Sequence, residues 1–138
     1  MKYLYRLYEL FIFIPIFLVY TIVLGSACAI GSVLGNGHFW GYYPGHLWSW
    51  LTVRLLLLPV KVEGREHLDP KQSYVFVANH QGAFDIFLIY GFLNRNFKWM
   101  MKRELGAIPI VGVACRCSHQ IFVDKRGPSK IRKTYEQA

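Results

Sequence analysis

The chain has 138 residues, 54% hydrophobic and 17% aromatic, with a net charge of +8. That length suits one small domain, and a basic balance joined to high apolar content points to anionic lipid rather than nucleic acid, for which the sequence offers no arginine-rich recognition helix or zinc-finger spacing. Three cysteines at irregular spacing argue for reduced thiols in a cytosolic setting rather than a disulfide framework.

Leu10 to Leu34 is a 25-residue run without a charge, interrupted by Pro15, Gly25 and Gly31. As a helix it is long enough to cross a hydrocarbon core of about 30 Å. Lys2 and Arg6 before it, and the small residues Ser26, Ala27 and Ala29, also suit a secretory signal. The run exceeds the roughly 7–15 apolar residues of a signal core, which favours a retained anchor. Between His38 and Trp50 lie Phe39, Trp40, Tyr42, Tyr43 and Trp48, broken by Gly41, Pro44 and Gly45. Amphipathic rings at this density belong at headgroup level, so His38 and His46 read more simply as interface residues than as ligands. Leu47 to Val60 is too short to span and carries Arg54; it reads as an interfacial or re-entrant helix ended by Pro59. The two helices are expected to form a hairpin that dips into one leaflet. Lys2, Arg6, Arg54, Lys61 and Arg65 would then lie on the cytoplasmic face of an inner or plasma membrane.

From Val60 the pattern changes to short strands and turns. Val60 to Gly64 alternates as a strand does, and Arg65 to Gln72, with Asp69-Pro70, is a polar loop in which His67 is solvated. Ser73 to Ala78 is rich in β-branched and aromatic residues and reads as a buried strand. Asn79-His80-Gln81-Gly82-Ala83-Phe84-Asp85 then gathers an amide, an imidazole, a glycine and a carboxylate where that strand passes into an apolar helix, Asp85 to Leu93. Inside one helix, residues five apart are rotated by roughly 140° and do not meet. With His80 in the turn and Asp85 in the first helical turn, the carboxylate can fold back onto the ring, and Gly82 supplies backbone freedom. Such a carboxylate fixes the imidazole tautomer and stabilises its cation, leaving the other nitrogen as a base. The plainer alternative is a helix N-terminus with an exposed His and a dipole-favoured Asp.

Phe97 to Met101 is a further expected strand, ending in Lys102 and Arg103, cations that could meet a phosphate or terminate a wet strand. Cys115-x-Cys117-x-His119 would set three potential metal ligands on one strand face, but a fourth is missing, and packed thiols are the simpler reading. Ile121 to Val123 is a strand leading into Asp124, Lys125 and Arg126. Lys130, Arg132 and Lys133 follow on a helix opened by Pro128, a solvated face near anionic lipid.

Residues Asn79 to Asp85 resemble the N-H-x-x-x-x-D signature of the glycerolipid acyltransferases, the group that includes 1-acyl-glycerol-3-phosphate acyltransferase. Three companions stand at family-like separations: the hydrophobic N-terminus, the segment from Trp99 to Pro109, and the segment from Ile121 to Arg126. The resemblance implies an α/β fold, with a membrane-associated helical hairpin over 1–59 and part of a mixed sheet with flanking helices over 60–138. It implies His80 as general base and Asp85 as its orienter. Family members place an arginine directly after the aspartate of the later segment, to hold the acceptor's phosphate. Here Lys125 holds that place and Arg126 follows; arginine offers a planar fork and lysine a point charge, so Arg126 is the stronger candidate. Lys125, Lys102 and Asn79 complete the expected substrate-binding set.

The implied reaction transfers an acyl group from acyl-CoA or acyl carrier protein to the free hydroxyl of lysophosphatidic acid, forming phosphatidic acid at a membrane, without metal or other cofactor. Family members also carry a third block resembling Phe-Pro-Glu-Gly-Thr-Arg. It does not occur in these residues, so a piece of a longer enzyme is expected, with an incomplete core and acceptor pocket. Two alternatives stay open: another acceptor, such as glycerol 3-phosphate or a different lysophospholipid, and a non-enzymatic membrane lipid-binding protein in which the His/Asp pair is incidental.

Overall fold

The first helix, α1, is continuous over Lys2–Leu34 and carries one π-helical stretch at Glu9–Phe13, in a computed structural model that describes residues 2–79, 82–124, 127 and 132. α1 is long and apolar enough to cross a membrane, and none of its most apolar window is buried inside the protein. Ile14, Leu18 and Ile22 share one face at helical spacing, and all three are exposed. A contiguous apolar face of this kind has no place in water; lipid is its natural solvent.

The opposite face of α1 is covered. Asn36 ends the reversal that follows, its Oδ1 accepting from the backbone N–H groups of His38 and Phe39, and so caps α2, a single turn at Gly37–Trp40. α3 (Tyr43–Leu55) then returns along α1. Trp48 Nε1 donates to Thr21 Oγ1 at 2.8 Å, and the Tyr20 and Thr52 hydroxyls meet at 2.7 Å. The Tyr8 hydroxyl donates to the Leu55 carbonyl at 2.6 Å and the Tyr5 hydroxyl to the Leu56 carbonyl at 3.1 Å. Numbers fall on one helix as they rise on the other, so the hairpin is antiparallel. The two tyrosines also satisfy carbonyls at the end of α3 that have no intrahelical partner. The extra residue of the π stretch makes this possible, because it re-phases the covered stripe between Tyr8 and Phe13.

α3 lies between α1 and α4 (Phe84–Phe92). The α3–α4 contact is made by small residues, which let two helix backbones approach closely. A Cβ added at Gly91 would stand 2.8 Å from Trp50 N and 3.0 Å from the Ser49 carbonyl carbon, and one at Gly45 would stand 2.5 Å from Tyr90 Cε1. Ser49 and Val53, on the face of α3 between these contacts, are fully buried. Beside them Tyr90 packs edge-on against Tyr42, Phe97 and Trp99, and its hydroxyl donates to the Gly41 carbonyl at 3.2 Å. Burial holds that phenol far above its ordinary pKa. The aromatic stretch expected at the interface therefore divides. Phe39, Tyr43 and Trp50 stay exposed while Tyr42 joins the core. The two histidines of this stretch serve packing: His46 Nδ1–H donates to the Tyr90 carbonyl at 2.8 Å, and Asn96 Nδ2 bridges the His38 ring and carbonyl.

β1 (Met100–Lys102) and β2 (Ile121–Val123) pair in parallel, Met100 opposite Ile121 and Lys102 opposite Val123. Parallel neighbours need a crossover; here it is a 3₁₀ turn at Arg103–Ala107 and the helix α5 (Val111–Cys117), which packs on the second half of α1. The described residues are mostly helical with this one two-stranded sheet, not the wider mixed sheet expected.

Several expected elements differ in form. Val60 to Gly64 makes no strand, and β1 begins at Met100 rather than Phe97. In 73–78, read as a buried strand, Tyr74 and Phe76 turn inward but Val75 and Val77 are each 92% exposed. A strand exists through its neighbour's ladder, and among the described residues this segment has none. α3 stops at Leu55, four residues before Pro59, where Leu57 takes a left-handed φ of 59°; the residue preceding a proline is already barred from helix. Cys115 and Cys117 lie on α5 rather than on a strand.

Gly91→Ala should destabilise the protein by about 1–3 kcal/mol, because the colliding atoms are backbone and cannot rotate away. Gly82→Ala, where a Cβ meets nothing within 4 Å, should be neutral or slightly stabilising. Denaturant titration of the purified protein in detergent separates the two.

Candidate active site

The first turn of α4 carries Asp85. Its Oδ2 accepts from the Gly82 N–H at 3.0 Å, and the Gly82 carbonyl accepts in return from the Asp85 N–H at 3.2 Å. This reciprocal pair satisfies an N–H at the helix start and places negative charge where the helix dipole favours it. It also turns the carboxylate back toward the loop that precedes the helix. His80 lies outside the described residues, and so does Gln81. Asn79 is exposed at the end of 73–79.

Lys102, the described member of the second group of candidate residues, sits at the carboxyl end of the parallel pair, the edge where parallel sheets generally receive ligands. Lys102 closes β1 and is exposed. Its register partner, Val123, immediately precedes Asp124. Across that end Arg103 Nη1 and Asp124 Oδ2 form an ion pair at 2.9 Å. The pair of cations read together from the sequence thus divides: Arg103 is held by Asp124 and ties the two strand ends together, while Lys102 stays at the ladder's edge. Lys125 and Arg126 lie outside the described residues. The structural role of Arg103 went unread in the sequence, because its partner is 21 positions away and only the parallel register reveals it.

Among the described residues no three His, Cys, Asp or Glu side chains gather closely enough to hold a metal ion. Two residues apart on a helix, Cys115 and Cys117 point in different directions, where on a strand they would share a face. His119 follows in a turn with φ 56°. Burial pushes the Cys115 thiol from its ordinary 9.0 up to about 11, with Cys28 adding to the shift and Arg116 opposing it.

An apolar helix long enough to cross a membrane thus leads into a mostly helical unit with one parallel strand pair. The family model described as Acyltransferase matches residues 59–138, and the chain belongs to that family. It is similar to the 1-acyl-sn-glycerol-3-phosphate acyltransferase of Limnanthes douglasii, 25% identical over 130 residues, which cover 89% of this chain and 46% of that protein. The corresponding enzyme of Saccharomyces cerevisiae is 33% identical over 88 residues, 58% of this chain and 29% of that protein. The alpha form from Homo sapiens is 34% identical over 82 residues, 54% of this chain and 29% of that protein. The chain thus spans about half the length, or less, of these relatives. No solved structure matches it.

Two measurements follow from this geometry. Asp85→Ala removes the acceptor for the Gly82 N–H and should cost about 1 kcal/mol, while Asp85→Asn keeps an acceptor oxygen and should cost much less; unfolding midpoints distinguish them. For Cys115, a folded pKa of about 11 above an ordinary 9.0 means that its contribution to stability is complete below pH 9 and is lost as pH rises through 11. Iodoacetamide labelling of the folded protein should leave Cys115 slow at pH 9 and accelerate it toward pH 11, followed by peptide mass analysis.

Proposed function

We infer that the protein transfers an acyl group from an acyl thioester to the free hydroxyl of 1-acyl-sn-glycerol 3-phosphate, forming phosphatidic acid at the membrane surface. The observation that carries this reading is the carboxylate of Asp85, folded back toward the segment holding His80, in a chain of the Acyltransferase family. The acceptor is the one for which the similar acyltransferases are named, 1-acyl-sn-glycerol 3-phosphate.

In this reading His80 takes the proton from the acceptor hydroxyl as its oxygen attacks the thioester carbonyl. The carbon–sulfur bond breaks, and the imidazolium returns the proton to the leaving thiolate, so the base is regenerated. Asp85 stabilises the imidazolium and keeps its second nitrogen aimed at the hydroxyl. Arg126 holds the glycerol phosphate, supported by Lys125 and by Lys102 at the end of β1, and Asn79 hydrogen-bonds the acceptor beside the base. Fixing the two reactants in this way lowers the barrier without any new chemical group. The thioester is borne by coenzyme A or acyl carrier protein. α1 keeps the site where acceptor and product both reside, on the cytoplasmic face.

Acyl transfer measured in membranes that express the protein tests this. His80→Ala should lower the rate by about 10²-fold or more, Asp85→Asn should lower it with little loss of folded protein, and Arg126→Ala should raise the acceptor KM more than it lowers kcat. An unchanged rate in His80→Ala removes the base. Faster transfer to glycerol 3-phosphate than to lysophosphatidic acid reassigns the acceptor.

A further inference from the structure

A cleft of about 360 Å³ opens at the other end of α4, away from Asp85, lined by residues that include His46, Trp50, Arg54, Arg65, Phe92 and Asn94. Its volume falls in the range of small-molecule sites, ~300–1,000 Å³, and no carboxylate lines it. The Arg54 guanidinium lies over the Trp50 ring at 5.6 Å and the Phe92 ring at 5.5 Å. Contact with two rings steadies that group while its N–H groups remain able to donate. Arg65 donates through Nη2 to the Phe92 carbonyl at the end of α4, which uses one of the five donors a guanidinium carries. Among the described residues neither arginine has an acidic partner within ion-pair distance.

The level of the cleft identifies its surroundings. Arg54 immediately precedes Leu55 and Leu56, whose carbonyls accept from Tyr8 and Tyr5. Those tyrosines sit in the opening turns of α1, among Lys2, Arg6 and Glu9 and before the uncharged run begins. Charged side chains with tyrosines at the start of an apolar helix mark the headgroup layer of a bilayer.

We propose that this cleft is a second lipid site, which binds the phosphate monoester headgroup of a bilayer lipid between Arg54 and Arg65. Two forks fit a monoester, with its three terminal oxygens and near double charge, better than a singly charged diester. The site is separate from the residues assigned to acyl transfer, and its failure would leave that assignment standing.

The test is flotation of the full chain with phosphatidylcholine vesicles containing phosphatidic acid, against vesicles brought to the same surface charge with phosphatidylserine. The wild type should prefer the phosphatidic acid vesicles. The double variant Arg54→Lys, Arg65→Lys keeps every charge but loses the forks, and that preference should fall about tenfold, with the circular dichroism of the folded protein retained. Arg6→Gln, outside the cleft, should weaken both vesicle types equally. Equal wild-type binding to the two vesicles, or a preference undiminished in the double lysine variant, overturns the proposal. Inorganic phosphate alone, if it protects Arg65 from arginine-directed labelling while the vesicles are not distinguished, overturns the lipid as source and makes the cleft a free-phosphate site.

Discussion

The backbones of α3 and α4 touch where Gly91 meets Ser49 and Trp50, with Gly45 admitting the Tyr90 ring beside them, and the placement of Asp85 is measured from that contact. α3 is bonded side by side to α1 through four hydroxyl and indole hydrogen bonds. α4 begins with the turn that holds Asp85 and ends in the contact. Six residues of helix separate Asp85 from Gly91, about 9 Å of rise. The chain of rigid links from lipid to carboxylate is therefore short, with no flexible loop in it.

Polar bonds within an apolar hairpin explain why the contact can be so close. Thr21, Thr52, Trp48 and Tyr20 find one another between α1 and α3, where association cannot draw on exclusion of water and must rest on packing and hydrogen bonds. A larger residue at Gly91 would separate α3 from α4 and lift Asp85 away from the helix that sets its height. The cations show a similar economy of position. Arg103 closes a strand end with Asp124, Arg65 closes the end of α4, and Arg95 holds the Leu68 carbonyl at 2.6 Å. A basic composition read as attraction to lipid is, side chain by side chain, partly a means of satisfying carbonyls and carboxylates.

What the sequence disclosed was local. The uncharged run from Leu10 to Leu34, the apolar helix after Asp85 and the strand from Ile121 to Val123 each rest on contiguous patterns, and each element is present. Asp85 at the helix start was legible for the same reason, since the apolar run begins beside it; its expected partner, His80, lies outside the described residues. Elements defined by a distant partner were not. Val60 to Gly64 and Ser73 to Ala78 have the composition of strands, but composition does not supply a neighbouring ladder. Tyr42 looked like its interfacial neighbours and became core because Tyr90, 48 positions away, covers it. The alternation in Cys115-x-Cys117-x-His119 suited a strand face, and the crossover between two parallel strands required a helix there instead.

The π stretch at Glu9–Phe13 gives α1 an aim that its hydropathy does not encode. Removing one residue from that stretch would leave an equally oily rod, but its first two turns would swing by about 100° against the remainder. Tyr5 and Tyr8 would then turn away from α3, and the carbonyls of Leu55 and Leu56 would lose their donors. Two homologues with indistinguishable hydrophobic profiles, one residue different in length here, would thus carry equally apolar first helices and hold the segment after them at different angles to that helix.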